Sequence, residues 1–274
     1  MLHDCLTQDM IDDFQCNGVV LIPGVFKADW IQILRSGLDK NIAEPGPHRR
    51  EYTADGNPGH FFGDYCNWSR ISEYENFARN SPDADIAGAL MGSKKVNLFH
   101  EHVLVKEPGT EDRTPWHHDQ PYYCVNGDDN VSLWIPLDSV PRERSVEFIR
   151  GSHKWNRWFT PTKFIGIDYE HDDEVFEVMP DIEAERDKHD IVSFGLELGD
   201  CVAFHFRTVH GAPGNTSTDT WRRAISFRWT GDDARFVARK GEMSPPFMDF
   251  KNCHHQNGDL LDSDLFPVIR RPRI

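Results

Sequence analysis

The sequence has no apolar run long enough to cross a bilayer. It is also poor in positive charge: 30 Lys and Arg stand against 45 Asp and Glu, for a formal net charge of −15. A broad basic face for nucleic acid or anionic lipid is thereby excluded. The start, Met1 to Cys5, carries neither the basic region nor the apolar stretch of a signal peptide. The 6 cysteines are scattered and form no CxxC pair, which is no disulfide framework in 274 residues. Internal repeats and low-complexity tracts are missing as well. The expectation is a soluble cytoplasmic protein, monomer or homodimer, with a small-molecule substrate and no nucleic-acid or membrane partner. Aromatic residues, at 12%, are abundant enough to argue against disorder, and the 14 histidines call for a close look at their spacing.

Thr7 followed by Met10, Ile11 and Phe14 predicts an N-capped helix ended by Gly18. Val19 to Ile22 reads as a buried strand stopped by Pro23 and Gly24. Trp30, Ile31, Ile33, Leu34 and Leu38 give Asp29 to Lys40 an amphipathic helical pattern. Ile71 to Ala78 and Ile86 to Met91 are further helices, and 44–66, rich in Pro, Gly and Asn, reads as a long loop. From Val96 the period changes. Strands are expected at 97–106, 131–137, 147–149, 201–206 and 222–230, separated by turns such as Pro108-Gly109 and Gly199-Asp200. The acidic stretch 168–190 reads as an exposed insertion with solvated charge. Helices first and antiparallel strands later, with no clear linker, point to one domain over 1–274. Its parts are a mainly helical 1–95, a strand-built core at 96–235 and a C-terminal extension at 236–274.

His117 and Asp119 lie two residues apart, so in an extended segment both project to one face. An imidazole and a carboxylate so placed can fill two adjacent positions of a metal. His118 then points elsewhere. His210, between the apolar segment 201–206 and a Gly/Pro turn, is a third ligand candidate. Two histidines and one carboxylate make the facial set of non-haem Fe(II) oxygenases, which leaves positions open for ligands. Arg222 opens the following strand, and an Arg fork there can grip a carboxylate bidentately. A 2-oxo acid chelating iron at one end and salt-bridged at the other fits this set.

Several motifs in this order resemble the phytanoyl-CoA dioxygenase family of Fe(II)/2-oxoglutarate oxygenases. They are Trp116-His117-His118-Asp119-Gln120, Gly151-Ser152-His153, the segment Gly199 to His205, His210 to Asn215, and Trp221 to Ser226; Phe14 to Gly24 adds the family's opening helix and strand. The resemblance implies a mainly β fold with flanking helices: a double-stranded β-helix, or cupin-like jelly roll, with N-terminal helices packed on the major sheet. It implies Fe(2+) and O2, with 2-oxoglutarate as a co-substrate released as succinate and CO2. It assigns His117, Asp119 and His210 to iron, and Arg222 to the distal carboxylate of 2-oxoglutarate, with Arg223 the rival that should face the other side. Trp134 falls where relatives line the 2-oxoglutarate pocket. His102 and Lys106 are implied as second contacts, the alternative for Lys106 being solvated charge at a strand end.

Two departures from the pattern stand out. Ala212 replaces a Ser common in relatives, so one hydrogen bond to the co-substrate is either missing or supplied elsewhere, by Ser226 or Thr208. Arg142 to Val146 replaces the usual turn before Gly151. Related halogenases lack the metal carboxylate, so Asp119 favours hydroxylation. His153, His205, His254 and His255 read as structural or surface residues, and Arg142, Arg144, Arg150, Lys154, Arg157 and Arg228 as solvated charge. The loops 44–66 and 155–190 are expected to cover the pocket. The alternatives are a cupin-like metalloenzyme that does not use 2-oxoglutarate, such as an isomerase or another dioxygenase, and a non-catalytic binding protein. Arg222 argues against the first, and the intact set of ligand candidates against the second.

Overall fold

The structure is a computed structural model describing residues 5–162 and 176–270. The first four residues, residues 163–175, which take in the beginning of the acidic stretch, and the last four residues lie outside the described residues.

The described α-helices all lie before residue 92, interleaved with three strands: α1 (Gln8–Asn17), α2 (Ala28–Ala43), α3 (Ser72–Asn80) and α4 (Asp83–Met91). Thr7 caps α1 by accepting the Met10 amide at 3.3 Å. Gly18 ends the helix at φ 73°, where a Cβ would lie 2.3 Å from the His153 ring and 2.6 Å from Thr208, so only glycine fits. Fourteen strands are assigned in chain order: β1 (Val19–Ile22), β2 (Arg50–Glu51), β3 (Phe61–Tyr65), β4 (Val96–Lys106), β5 (Thr114–His117), β6 (Val125–Asn126), β7 (Asn130–Pro136), β8 (Glu147–Ile149), β9 (Ile191–Ser193), β10 (Cys201–Phe204), β11 (His210–Ala212), β12 (Arg222–Thr230), β13 (Arg235–Phe236) and β14 (Val268–Arg270). The 44–66 segment is thus not all loop; β3 within it pairs with β4.

The major sheet is antiparallel, in the order β1-β10-β7-β12-β4-β3-β2, with β14 also on β4. The minor sheet runs β5-β11-β8-β9. Alternation decides what each face buries. Val131, Leu133, Ile135, Cys201, Ala203, Ile225, Phe227 and Trp229 point to the helices and form one core with Leu34, Leu38, Phe77 and Leu90. The opposite parity turns Trp134, Val202, Phe204 and Ala224 toward Phe148, Val192 and Ala212 of the minor sheet, which makes a second core between the sheets. This is the mainly β, jelly-roll architecture with N-terminal helices on the major sheet that the resemblance implied.

β4 breaks the alternation. Arg228 pairs with His100 but Trp229 with Leu98, so Phe99 is the extra residue of a bulge. Leu98 therefore joins the helix-side core while His100 falls in line with His102, Leu104 and Lys106 on the inner face. The C-terminal extension is not a loose tail: Phe247, Leu261, Leu265 and Phe266 pack on Phe99, Tyr123 and Phe206 in a third, aromatic-rich core.

No helix among the described residues is long and apolar enough to cross a membrane. All six cysteines are unpaired, as their spacing predicts.

Candidate active site

β5 and β11 are neighbouring strands of the minor sheet, and their register sets His210 directly opposite His117. The strand ends at His117. Asp119 is reached through a turn with φ −71° and ψ −38°, so the regular-strand argument for its direction is replaced by a turn that returns the carboxylate to the same place. One ligand atom from each of His117, Asp119 and His210 lies within 4.8 Å of the others, and all three residues are buried. Asp119 Oδ1 is 3.6 Å from His117 Nε2 and 3.9 Å from His210 Nε2.

The protonation pattern suits a metal. His117 Nδ1 lies 2.8 Å from the Pro115 carbonyl and His210 Nδ1 lies 2.9 Å from the Thr208 carbonyl. A carbonyl only accepts, so each Nδ1 carries the proton and each Nε2 presents a lone pair to the common centre. Burial, with the neighbouring His117 ring, pushes His210 down to about 3, so its imidazole stays neutral. Burial acts to raise Asp119, but the Arg228 guanidinium and the two imidazoles outweigh it and hold the carboxyl well below its usual range. Asp119 is therefore an anion. Its second oxygen, Oδ2, accepts from Ser132 Oγ at 3.3 Å and from Arg228 Nε at 3.4 Å, which leaves Oδ1 aimed at the imidazoles. Two neutral nitrogens and one carboxylate oxygen match the donor set of a divalent iron site.

From this centre a narrow cleft leads to Arg222, lined by Trp134, Phe204, Ala212, Ser226 and His102. Arg222 is buried and donates to the Arg144 carbonyl at 2.6 Å and the Pro213 carbonyl at 3.1 Å. Burial, then Arg144, lowers it to about 10, so it remains a cation at neutral pH. The reshaped segment before Gly151 thus supplies the carbonyl that steadies Arg222. Arg223 faces the other side, with Nη2 2.6 Å from Asp138 Oδ1. Lys106, opposite Arg222 across the strands, is not solvated charge: it is 1% exposed, and its Nζ donates to the Asp112 and Pro213 carbonyls at 2.7 and 3.0 Å. Thr208 gives its hydroxyl to the Gly18 carbonyl at 2.7 Å, so of the two candidates to replace the missing Ser hydroxyl only Ser226, in the cleft and without a partner among the described residues, has one to offer.

A second cavity, of about 340 Å³, opens on the other side of His117 and Asp119. Its walls include Tyr52, Tyr65, Tyr122, Tyr123, His100 and Arg228. The 44–66 segment contributes Arg50 to Tyr52 as expected. Among the described residues Thr162 is the one contributor from 155–190, and Glu242 to Pro245 of the C-terminal extension were not foreseen. Arg228 was misread from sequence: it is 5% exposed and ion-paired with Asp119. The signal for it was its parity, which matches Arg222 and Ser226 on β12.

His118, His153 and His205 are structural. His118 turns away and its Nε2 accepts the Phe159 amide at 3.0 Å. His205 is fixed by the Asp128 carbonyl and the Arg207 amide, both at 3.0 Å. His153 is buried against the His205 ring. His254 is exposed, but His255 is half-buried and stacks on Phe236 at 5.3 Å. Burial pushes both His118 and His205 from 6.5 to about 3. Their folded values are depressed, so unfolding releases rings that take up protons below the ordinary histidine value. Stability should be full above about pH 6.5 and fall as pH drops from there toward 3, with a steeper loss than in a His205→Asn variant. Urea midpoints measured across that window check this.

The phytanoyl-CoA dioxygenase (PhyH) family profile matches residues 14–224, which is most of the chain. The chain belongs to the phytanoyl-CoA dioxygenase family. It is an enzyme of the Fe(II)/2-oxoglutarate oxygenase type, and its cofactors are iron and 2-oxoglutarate, with O2 as co-substrate. No curated protein matches its sequence. Among solved structures it is similar to the non-haem α-ketoglutarate-dependent carbocyclase SnoK of nogalamycin biosynthesis, at 23% identity and TM-score 0.76 over 98% of each chain. The epimerase SnoN, solved with Fe3+, α-ketoglutarate and nogalamycin RO, shares 23% identity at TM-score 0.76, over 96% of this chain and 98% of that one. EctD from S. alaskensis, solved with 2-oxoglutarate and 5-hydroxyectoine, shares 16% at TM-score 0.63, over 88% and 87%. At these identities the likeness shows the fold that this family member shares with them.

Proposed function

We propose that this enzyme hydroxylates a C–H bond of a small organic molecule, with 2-oxoglutarate converted to succinate and CO2. His117 Nε2, Asp119 Oδ1 and His210 Nε2 would hold the iron, and Arg222 the distal carboxylate of 2-oxoglutarate. The observation that carries this reading is the convergence of one ligand atom each from His117, Asp119 and His210 within 4.8 Å, with a buried guanidinium at the far end of the adjoining cleft. Bound iron supplies activation of O2 at the expense of the 2-oxo acid. The chain's own residues do the rest. Trp134, Phe204 and Ala212 keep the cleft dry, which strengthens the Arg222 charge toward a carboxylate. Ser226 supplies a hydroxyl, and His102 a neutral ring whose Nε2 has no partner among the described residues. Lys106 shares the Pro213 carbonyl with Arg222 and so steadies that end of the cleft, although burial and then the Arg222 charge hold its amine well below the usual lysine value. Asp119 fills the position that a halide would need, so oxygen transfer is favoured over halogenation.

SnoK and SnoN are named as a carbocyclase and an epimerase, and the outcome here is read from the product. Mass analysis separates them: hydroxylation adds one oxygen atom to the product, ring closure removes two hydrogens, and epimerisation leaves the mass unchanged. Iron-dependent succinate formation with a one-oxygen gain is the expected result. Succinate with no oxygen gain in any turned-over substrate contradicts the hydroxylase reading, and no succinate contradicts the whole.

A further inference from the structure

On the inner face of the major sheet, β4 and β12 set two cross-strand pairs side by side, His102 opposite Ser226 and His100 opposite Arg228. All four side chains are buried, and each keeps one polar atom without a partner among the described residues: His102 Nε2, Ser226 Oγ, His100 Nδ1 and Arg228 Nη1. A lone orphan is a cost the fold tolerates, but four neighbouring ones, buried in residues that line the two cavities, leave polar atoms that a ligand entering with a small side-chain adjustment would satisfy. The first pair faces the cleft assigned above to 2-oxoglutarate. The second does not belong to it alone: His100 lines the larger cavity, and Arg228 stands where the two spaces meet.

Charge narrows the ligand. The ion partner of Arg228 is Asp119, at 3.4 Å, and the same carboxylate serves the metal centre. One anion is thus shared between a divalent ion and a guanidinium, which leaves a buried positive excess at the floor of the larger cavity. Burial, then Arg228, holds His100 and His102 well below their usual value, so neither adds charge. The other charged lining residues, Arg50, Glu51 and Glu242, are exposed at the mouth and screened by water. Above Arg228 the walls are ring faces: Tyr123 lies 5.7 Å from its guanidinium carbon and 5.1 Å from the His100 ring, with Tyr65 and Tyr122 beyond.

We propose that Arg228 and His100 bind a carboxylate of the primary substrate, so that the enzyme acts on a small organic acid whose body lies against Tyr65, Tyr122 and Tyr123. This rests on the Fe(II)/2-oxoglutarate reading. Arg228 Nη1 offers N–H donors in a fixed fork, and His100 Nδ1 offers a neutral partner beside it. The co-substrate is itself a carboxylate, so the test must separate the two.

The protein loaded with Zn(II) in place of iron, with saturating 2-oxoglutarate, is titrated calorimetrically with benzoate, phenylacetate, cinnamate and 4-hydroxyphenylacetate, each beside its primary amide. At least one acid should bind about tenfold or more tightly than its amide, because a charge-assisted hydrogen bond is lost in the amide. Arg228→Gln should abolish that preference; because the same guanidinium steadies Asp119, metal content and 2-oxoglutarate affinity are measured alongside and should fall clearly less than the probe's affinity. Arg228→Lys, which keeps the charge without the fork and folds more readily beside Asp119, should give an intermediate preference. The proposal is overturned by acids and amides that bind alike throughout, or by a preference untouched in both variants. It is also overturned by 2-oxoglutarate affinity that falls as far as the probe's, which gives the guanidinium to the co-substrate. Failure of 2-oxoglutarate to bind the metal-loaded wild type is a separate result that removes the underlying reading and this proposal together.

Discussion

His117→Ala should eliminate iron-dependent succinate formation, with a loss larger than the roughly 100-fold that follows removal of a mere outer partner of a metal ligand. In the proposed site the imidazole is one of three donors, and its Nε2 faces both Asp119 Oδ1 and, across the strand pair, His210. Its removal leaves two donors and an opening to the larger cavity. The informative control is one residue away. His118→Ala removes the acceptor of the Phe159 amide and should cost about 1–3 kcal/mol of stability. It should leave metal affinity within about twofold, since the ring faces away from the centre. Metal content after dialysis, denaturation and succinate release, measured on both variants, check this. Equal metal loss in the two would mean that the local fold, not the ligand identity, had been read.

Arg222→Ala should weaken 2-oxoglutarate binding by about 100-fold or more, the effect of removing one partner from a buried charge pair. The guanidinium sits at the closed end of the cleft, where no exposed cation can replace it. Arg222→Lys should recover part of the loss, because a point charge reaches one oxygen where the fork reaches two. The fold should survive: Lys106 still serves the Pro213 carbonyl, and only the Arg144 carbonyl is orphaned. The defect should therefore appear in KM for 2-oxoglutarate, with kcat largely restored at saturation. A variant with unchanged KM would show that the co-substrate is held elsewhere.

What was legible in the sequence follows element length and parity. α1, β1, β4, β7, β8 and β12 lie where their cap, apolar runs and flanking turns put them, although the bulge at Phe99 breaks the alternation of β4. β5 and β11, which carry the two histidines, are three or four residues long and contain Pro115 and Gly211, so no periodicity could reveal them. The ligand candidates were found by residue type and motif order instead. The direction of Asp119 rests on a turn, which spacing on a regular strand does not describe. Arg228 went unseen because a charged residue in a strand defaults to solvent, although its parity with Arg222 placed it inward. The bulge at Phe99 and the return of Glu242 to Pro245 to the cavity wall are long-range packing outcomes with no local signature.

Anomalous diffraction at the iron edge, from crystals grown anaerobically with Fe(II) and 2-oxoglutarate, tests the arrangement most directly. The predicted result is one ion bound by His117 Nε2, Asp119 Oδ1 and His210 Nε2, with 2-oxoglutarate density running from it to Arg222. An ion held by other side chains, or 2-oxoglutarate with its distal carboxylate away from Arg222, would contradict the account.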